Sequence, residues 1–137
     1  MWWKYHLLIS TVLGIIYFIF TQSVVYSLLV FSSNFFVDVD HYLLYLILQR
    51  KSFKESYKMY QRISKKEIPD SDVSKYILPF HNFEFTILVI VLSMLYSILI
   101  PIAIGVLIHF VIDVSYVRNF KVKHYYSVIY YAISKLS

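Results

Sequence analysis

The sequence predicts an all-α protein: an integral membrane helical bundle of two helical hairpins, with a basic amphipathic segment between them and an interfacial helix at the C-terminus. Three observations lead there. Hydrophobic residues fill 59% of the 137 positions and charged residues 15%, against roughly 25% charged in an average soluble domain. The apolar residues gather in two long blocks, each broken near its middle. The 13 Lys and Arg flank these blocks and stay out of them, as expected of segments held at an anionic membrane surface. The length suits a single membrane-embedded domain spanning residues 1–137. The absence of cysteine excludes a disulfide framework, a thiolate nucleophile and any cysteine-ligated metal. Because the positive charge is confined to block edges, the expected partners are the bilayer and its anionic headgroups, and no nucleic acid.

The opening stretch "MWWKYHLLISTVLGIIYFIF" reads as a first membrane helix. A signal peptide fits less well: the apolar run is long, small-residue cleavage chemistry is missing, and further apolar segments follow. The first block, Leu7 to Leu48, is interrupted by Thr21-Gln22-Ser23 and by Ser32-Ser33-Asn34. Thr or Ser in the first interruption suits the cap of a new helix. The second block, Phe83 to Val117, is interrupted by Pro101, which suits the first turn of a returning helix and disrupts a helix running through it. The expected hairpins are 3–20 with 22–36 and 80–99 with 102–117. Helices of 15–20 residues are about 22–30 Å long, so the shorter ones barely cross a bilayer core.

Between the blocks, Arg50 to Lys75 carries eight basic and four acidic residues. Phe53, Tyr57, Tyr60 and Ile63 recur at helical spacing while Lys54, Lys58 and Arg62 face elsewhere, the pattern of an amphipathic helix on headgroups; a solvated basic loop is the alternative. "EIPDSDVSK" reads as a turn with Asp70 or Asp72 as a cap. In the tail, Val122, Tyr125, Tyr126, Ile129, Tyr130, Ile133 and Leu136 form a helical stripe. Positive-inside counting puts the middle segment in the cytoplasm, and Lys4 and the tail cluster join it only if each block enters and returns.

Four carboxylates lie outside the basic middle segment: Asp38, Asp40, Glu84 and Asp113. Each falls within four residues of a histidine, and no Lys or Arg occurs at 5–49 or 76–117. Four unpaired carboxylates at ~2.5–3.5 kcal/mol each on membrane insertion scales approach ~10 kcal/mol. Protonation, pairing with imidazolium or a shared metal ion can offset this. A metal ion is the economical solution, since zinc sites in small peptides contribute about 10–16 kcal/mol. His109 and Asp113 are spaced i, i+4 and His81 and Glu84 i, i+3, each pair sharing one helix face. Folding back at Gln22 and Pro101 gathers His6, Asp38, Asp40, His41, His81, Glu84, His109 and Asp113 at one end of the bundle. Bland alternatives stand beside each: a hydrogen-bonded His-x3-Asp pair, caps at Asp38 or Asp40, an interfacial His6, a protonated Glu84.

"MWWKYHLLISTVLG", "FVDVDHYLL", "FHNFEF" and "GVLIHFVIDV" resemble, in order, the motifs of the membrane-bound metal-dependent hydrolases: an N-terminal His before an apolar run, a Pro-Asp-x-Asp-His box, a His-containing box and a Gly-x3-His-x3-Asp helix. That family is thought to be distantly similar to zinc-dependent phospholipase C and P1 nuclease. The resemblance covers Lys4 to Asp113. Two departures stand out: Val37 replaces the proline before Asp38, and the second box holds His81 with Glu84 where the family usually has two histidines.

The resemblance implies a hydrolase acting on a phosphoester, such as a phospholipid, from the cytoplasmic face. His6, Asp38, His41, His81, His109 and Asp113 would be metal ligands, Asp40 a ligand or the orienter of one, and Glu84 the proton acceptor. Imidazole with carboxylate suits zinc, or manganese, better than calcium or magnesium. The alternatives are a non-enzymatic membrane protein with a proton or metal-ion pathway and a relative that keeps the fold without catalysis.

Overall fold

The computed structural model describes residues 3–40, 46, 52–64, 79–117, 127–129 and 133. His41, the "EIPDSDVSK" turn and most of the tail stripe lie outside them. Among the described residues every regular element is helical: α1 (Trp3–Thr21), α2 (Val24–Phe36), α3 (Phe53–Ser64), α4 (Phe83–Leu95), a 3-10 turn (Ser97–Leu99) and α5 (Ile100–Val117).

The first hairpin forms where the Thr-Gln-Ser interruption predicts it. Gln22 adopts the left-handed conformation (φ 52), and its N–H donates to the Phe18 carbonyl at 2.8 Å, an ending that uses αL geometry to satisfy an orphan carbonyl. Ser23 then caps α2, its Oγ accepting from the Tyr26 N–H at 3.3 Å.

The second hairpin breaks earlier than expected. α4 stops at Leu95, Tyr96 is extended (φ −129, ψ 103), and α5 starts at Ile100 with Pro101 in its first turn. A proline ring collides with the carbonyl four residues before it and removes a donor. The helix therefore fails around Ser97, not at Pro101 itself, and a tight 3-10 turn fills the gap.

α2 is the central helix, packed against α1 on one side and α5 on the other, with α4 against α5. Both glycines of the chain serve these contacts. A Cβ on Gly14 would sit 3.4 Å from the Ser27 carbonyl oxygen, and one on Gly105 would sit 2.7 Å from the Val30 carbonyl oxygen. Only a glycine lets α5 approach the α2 backbone that closely.

The distribution of polarity runs opposite to that of a soluble core. Among the described residues, the buried set is mostly polar: His6, Ser10, Ser27, Asn34, Asp40, His81, Asn82, Thr86, His109 and Asp113, against Val30, Val37, Val89, Ala103 and Val106. The outer surface shows Leu8, Ile15, Ile19, Phe20, Leu28, Leu88, Val91, Leu95 and Val111. Two helices, Lys4–Thr21 and Ser97–Ser115, are long and apolar enough to cross a membrane. α3 is helical, as the amphipathic pattern predicts, and a capping box starts it: Glu55 accepts from the Ser52 N–H while Ser52 Oγ accepts from the Glu55 N–H. Phe53 and Tyr57 are exposed on it beside Lys54, Lys58 and Arg62.

Candidate metal centre

The two fold-backs bring the N-terminus of α1, the C-terminus of α2, the approach to α4 and the C-terminal half of α5 to one pole. There His6, Asp38, His81, His109 and Asp113 converge. His6 Nε2 lies 3.4 Å from Asp113 Oδ1 and 3.8 Å from Asp38 Oδ2. His81 Nε2 lies 3.2 Å from Asp38 Oδ1 and 3.4 Å from Asp113 Oδ2. His109 Nε2 lies 3.5 Å from Asp113 Oδ2 and 3.7 Å from Asp38 Oδ1. The His6 and His109 rings stack with centroids 4.4 Å apart.

The far side of each of two rings fixes its tautomer. His109 Nδ1 lies 2.7 Å from the Asn34 carbonyl oxygen, which can only accept, so Nδ1 carries the proton. His81 Nδ1 lies 3.0 Å from the Asp40 carboxylate, which also accepts the Phe80 N–H at 2.9 Å. In the neutral rings both Nε2 atoms then hold lone pairs, yet they face one another at 3.1 Å and face two carboxylates. Such an arrangement requires a positive charge among them. Without metal, that charge is a proton: although burial opposes it, hydrogen bonds and charges from Asp38 and Asp40 raise His81 from 6.5 to about 10.

A divalent ion satisfies the same geometry. Zinc bonds of ~2.0–2.1 Å imply donor–donor edges of roughly 3.3–3.4 Å in a tetrahedron, and the adjacent donor pairs named above are 3.1 to 3.8 Å apart. Donor atoms of His6, Asp38, His109 and Asp113 all lie within 4.8 Å of one another, a cluster able to hold a metal ion. Two carboxylates balance the charge of such an ion, and neutral imidazole with carboxylate is a suitable donor set. Asp40 stands behind His81, where a carboxylate orients a histidine ligand and raises its basicity. The cluster is buried apart from Asp38, whose side chain is 14% exposed.

The i, i+4 pair His109 and Asp113 shares a face as the spacing predicts. The i, i+3 pair does not. α4 begins at Phe83 after an extended Asn82 (φ −112, ψ 156), so His81 precedes the helix and turns toward the cluster while Glu84 goes elsewhere. Glu84 accepts from Ser127 Oγ at 2.6 Å and from the N–H groups of Val128 and Ile129 at 3.3 and 3.2 Å. It thereby receives the N–H groups at the helical residues Val128 and Ile129 and, among the described residues, meets none of the three imidazoles.

Two positioning residues escape the sequence pattern. Asn34 is fully buried; its Nδ2 donates to the Gly105 carbonyl at 3.0 Å and its Oδ1 accepts from Ser10 Oγ at 2.7 Å. It thereby ties α1, α2 and α5 together just where its own carbonyl receives His109. Asn82 caps α4 through the Phe85 N–H at 2.7 Å and donates to the Pro79 carbonyl at 2.7 Å, setting the turn that carries His81. An amide inside an apolar helix was the available signal, because such a group must find partners in its own protein. No family model, curated protein or solved structure matches this chain.

Proposed function

We propose that this chain is an integral membrane protein that holds a divalent ion, zinc by preference, in the His/Asp cluster and hydrolyses a phosphoester, with a phospholipid as the natural substrate class. The convergence of three imidazole nitrogens and two carboxylates on one buried point carries the metal assignment. The apolar exterior around a polar interior supports the bilayer as surroundings. The cytoplasmic position of the site follows from positive-inside counting, and the hydrolytic chemistry from the resemblance to membrane-bound metal-dependent hydrolases.

In this reading His6, Asp38, His81, His109 and Asp113 are the ligands. A bound ion would lower the pKa of a coordinated water to ~7 and polarise the scissile group. The protein's own part is orientation and proton handling. Asn34 and Asp40 hold the His109 and His81 lone pairs inward, and the apolar helices exclude bulk water. The Asp38 carboxylate, which has an exposed edge, would bind the ion through one oxygen and accept the proton of the attacking water on the other. Glu84, the proton acceptor expected from its place beside His81, is committed instead to Ser127, Val128 and Ile129.

That commitment, and the burial of the cluster, favour a second reading: a metal-holding membrane protein without catalysis, since closed sites with only protein donors are structural in type. Zinc-loaded protein in mixed micelles, assayed against phospholipids and soluble phosphodiesters, separates the two. Turnover that disappears in Asp113→Asn supports the hydrolase. Stoichiometric metal with no turnover of any ester supports the second reading.

A further inference from the structure

We infer that both hairpin turns, Thr21–Ser23 and Tyr96–Leu99, end within the lipid, so that the chain enters and leaves the bilayer through one surface only. This rests on the membrane assignment in the proposed function and on none of its catalytic content.

Length gives the first reason. α2 and α4 have 13 residues each and so extend ~20 Å. A hydrocarbon core is ~30 Å thick, which leaves these helices ~10 Å short. Their partners α1 and α5, of 19 and 18 residues, reach ~27–29 Å and can end inside it when tilted. Charge gives the second. No Asp, Glu, Lys or Arg occurs at 5–37 or 85–112, so the pole carrying both turns is uncharged while the cluster pole carries Lys4 and Glu84. Around the turns Phe20, Met94, Leu95 and Tyr96 are 82, 79, 71 and 60% exposed. A turn lying in water rarely presents so much apolar surface without polar company.

The hydrogen bonds at the first turn supply the third reason. Thr21 Oγ1 donates to the Tyr17 carbonyl at 2.8 Å, the Gln22 N–H to Phe18 at 2.8 Å, and Gln22 Nε2 to Ile19 at 2.9 Å. The Ser23 N–H donates to Thr21 Oγ1 at 3.3 Å, and Ser27 Oγ returns to the Ser23 carbonyl at 2.7 Å. The polar side chains of the turn are therefore folded back onto the chain itself. Hydrocarbon cannot satisfy such groups, and folding the side chains back onto the backbone lowers the cost of placing the turn in it. The second turn is closed likewise, by Tyr96 N–H to Leu92 at 3.0 Å and Leu99 N–H to Tyr96 at 2.9 Å, and adds only the Tyr96 and Ser97 hydroxyls.

The chain has no cysteine, so single-cysteine variants report without background. Gln22→Cys, Ser97→Cys and Ser52→Cys are treated with a membrane-impermeant maleimide in sealed vesicles of both orientations, after a carbonate wash. Loss of the protein in the wash would refute the membrane assignment itself. With the protein retained, Ser52→Cys should react from one face, and Gln22→Cys and Ser97→Cys from neither, about tenfold or more slowly, until detergent denaturation exposes them. Reaction of either turn from the face opposite Ser52 would show that the hairpins cross a thinned bilayer, and reaction from the same face would place the turns in water; both overturn the inference. A nitroxide at either turn position gives an independent reading: greater relaxation by oxygen than by a nickel chelate supports it, and the reverse refutes it.

Discussion

Metal affinity in this protein should keep rising with pH well beyond the range in which an ordinary histidine has finished titrating. His81 is buried against Asp38 and Asp40, and although burial disfavours its charge, those two carboxylates hold its pKa near 10 against a usual 6.5. Ligation needs the Nε2 lone pair, so every ion bound displaces that proton. One-proton exchange raises the binding constant ~tenfold per pH unit well below the pKa, or ~500-fold between pH 7 and 10; a histidine titrating at 6.5 would add less than ~twofold over the same span. The same proton stabilises the metal-free fold. Because the folded pKa lies above the unfolded one, that contribution is complete below pH 6.5 and disappears as the pH climbs toward about 10, a loss on the order of a few kcal/mol. Competition titration against a chromophoric chelator, corrected for the chelator's own protonation, measures the slope between pH 6.5 and 9.5. In Asp40→Asn the rise should level off at lower pH. A wild-type affinity that is flat above pH 7.5 would refute the linkage of His81 to Asp38 and Asp40.

The remaining expectations concern single side chains. Asn34→Ala removes the bridge from Ser10 to Gly105 and should lower metal affinity ~10-fold or more, with ~1–3 kcal/mol of lost stability, read by the same titration and by thermal unfolding. Gly105→Ala forces α5 away from the Val30 carbonyl, for which ~1–3 kcal/mol of destabilisation and a weaker metal site are expected, the latter through a longer His109–Asn34 contact. Glu84→Gln should leave metal affinity within ~twofold of wild type while speeding proteolysis of the C-terminal segment; a large loss of affinity would return Glu84 to the metal site.

How much of this could be read from the chain differs from element to element. The first hairpin was legible because Thr21-Gln22-Ser23 is the only polar cluster near the middle of its block, and such residues make both an αL ending and a cap. The second hairpin breaks a few residues before Pro101 because a proline acts on the carbonyl four positions before it. Pairing of His109 with Asp113 was legible since both lie well inside a helix, where spacing fixes direction. Pairing of His81 with Glu84 was not, because the helix begins between them and helical spacing has no meaning across an extended cap. Asn34 looked like part of an interruption; that its carbonyl receives His109 depends on how closely Gly105 lets α5 approach α2. That is a packing property no local pattern contains. His41 shares its box with Asp38 and Asp40, but its position lies outside the described residues.

The central claim, that the gathered histidines and aspartates form one metal centre, is tested most directly by X-ray absorption on detergent-purified protein with its metal content measured in parallel. Near-stoichiometric metal, a nitrogen/oxygen shell at ~2.0–2.1 Å and outer-shell scattering from about three imidazoles, all lost in Asp113→Ala, is the expected result. Protein that retains its helical content yet takes up no divalent ion, or whose bound ion keeps the same spectrum in Asp113→Ala and His109→Ala, would contradict it.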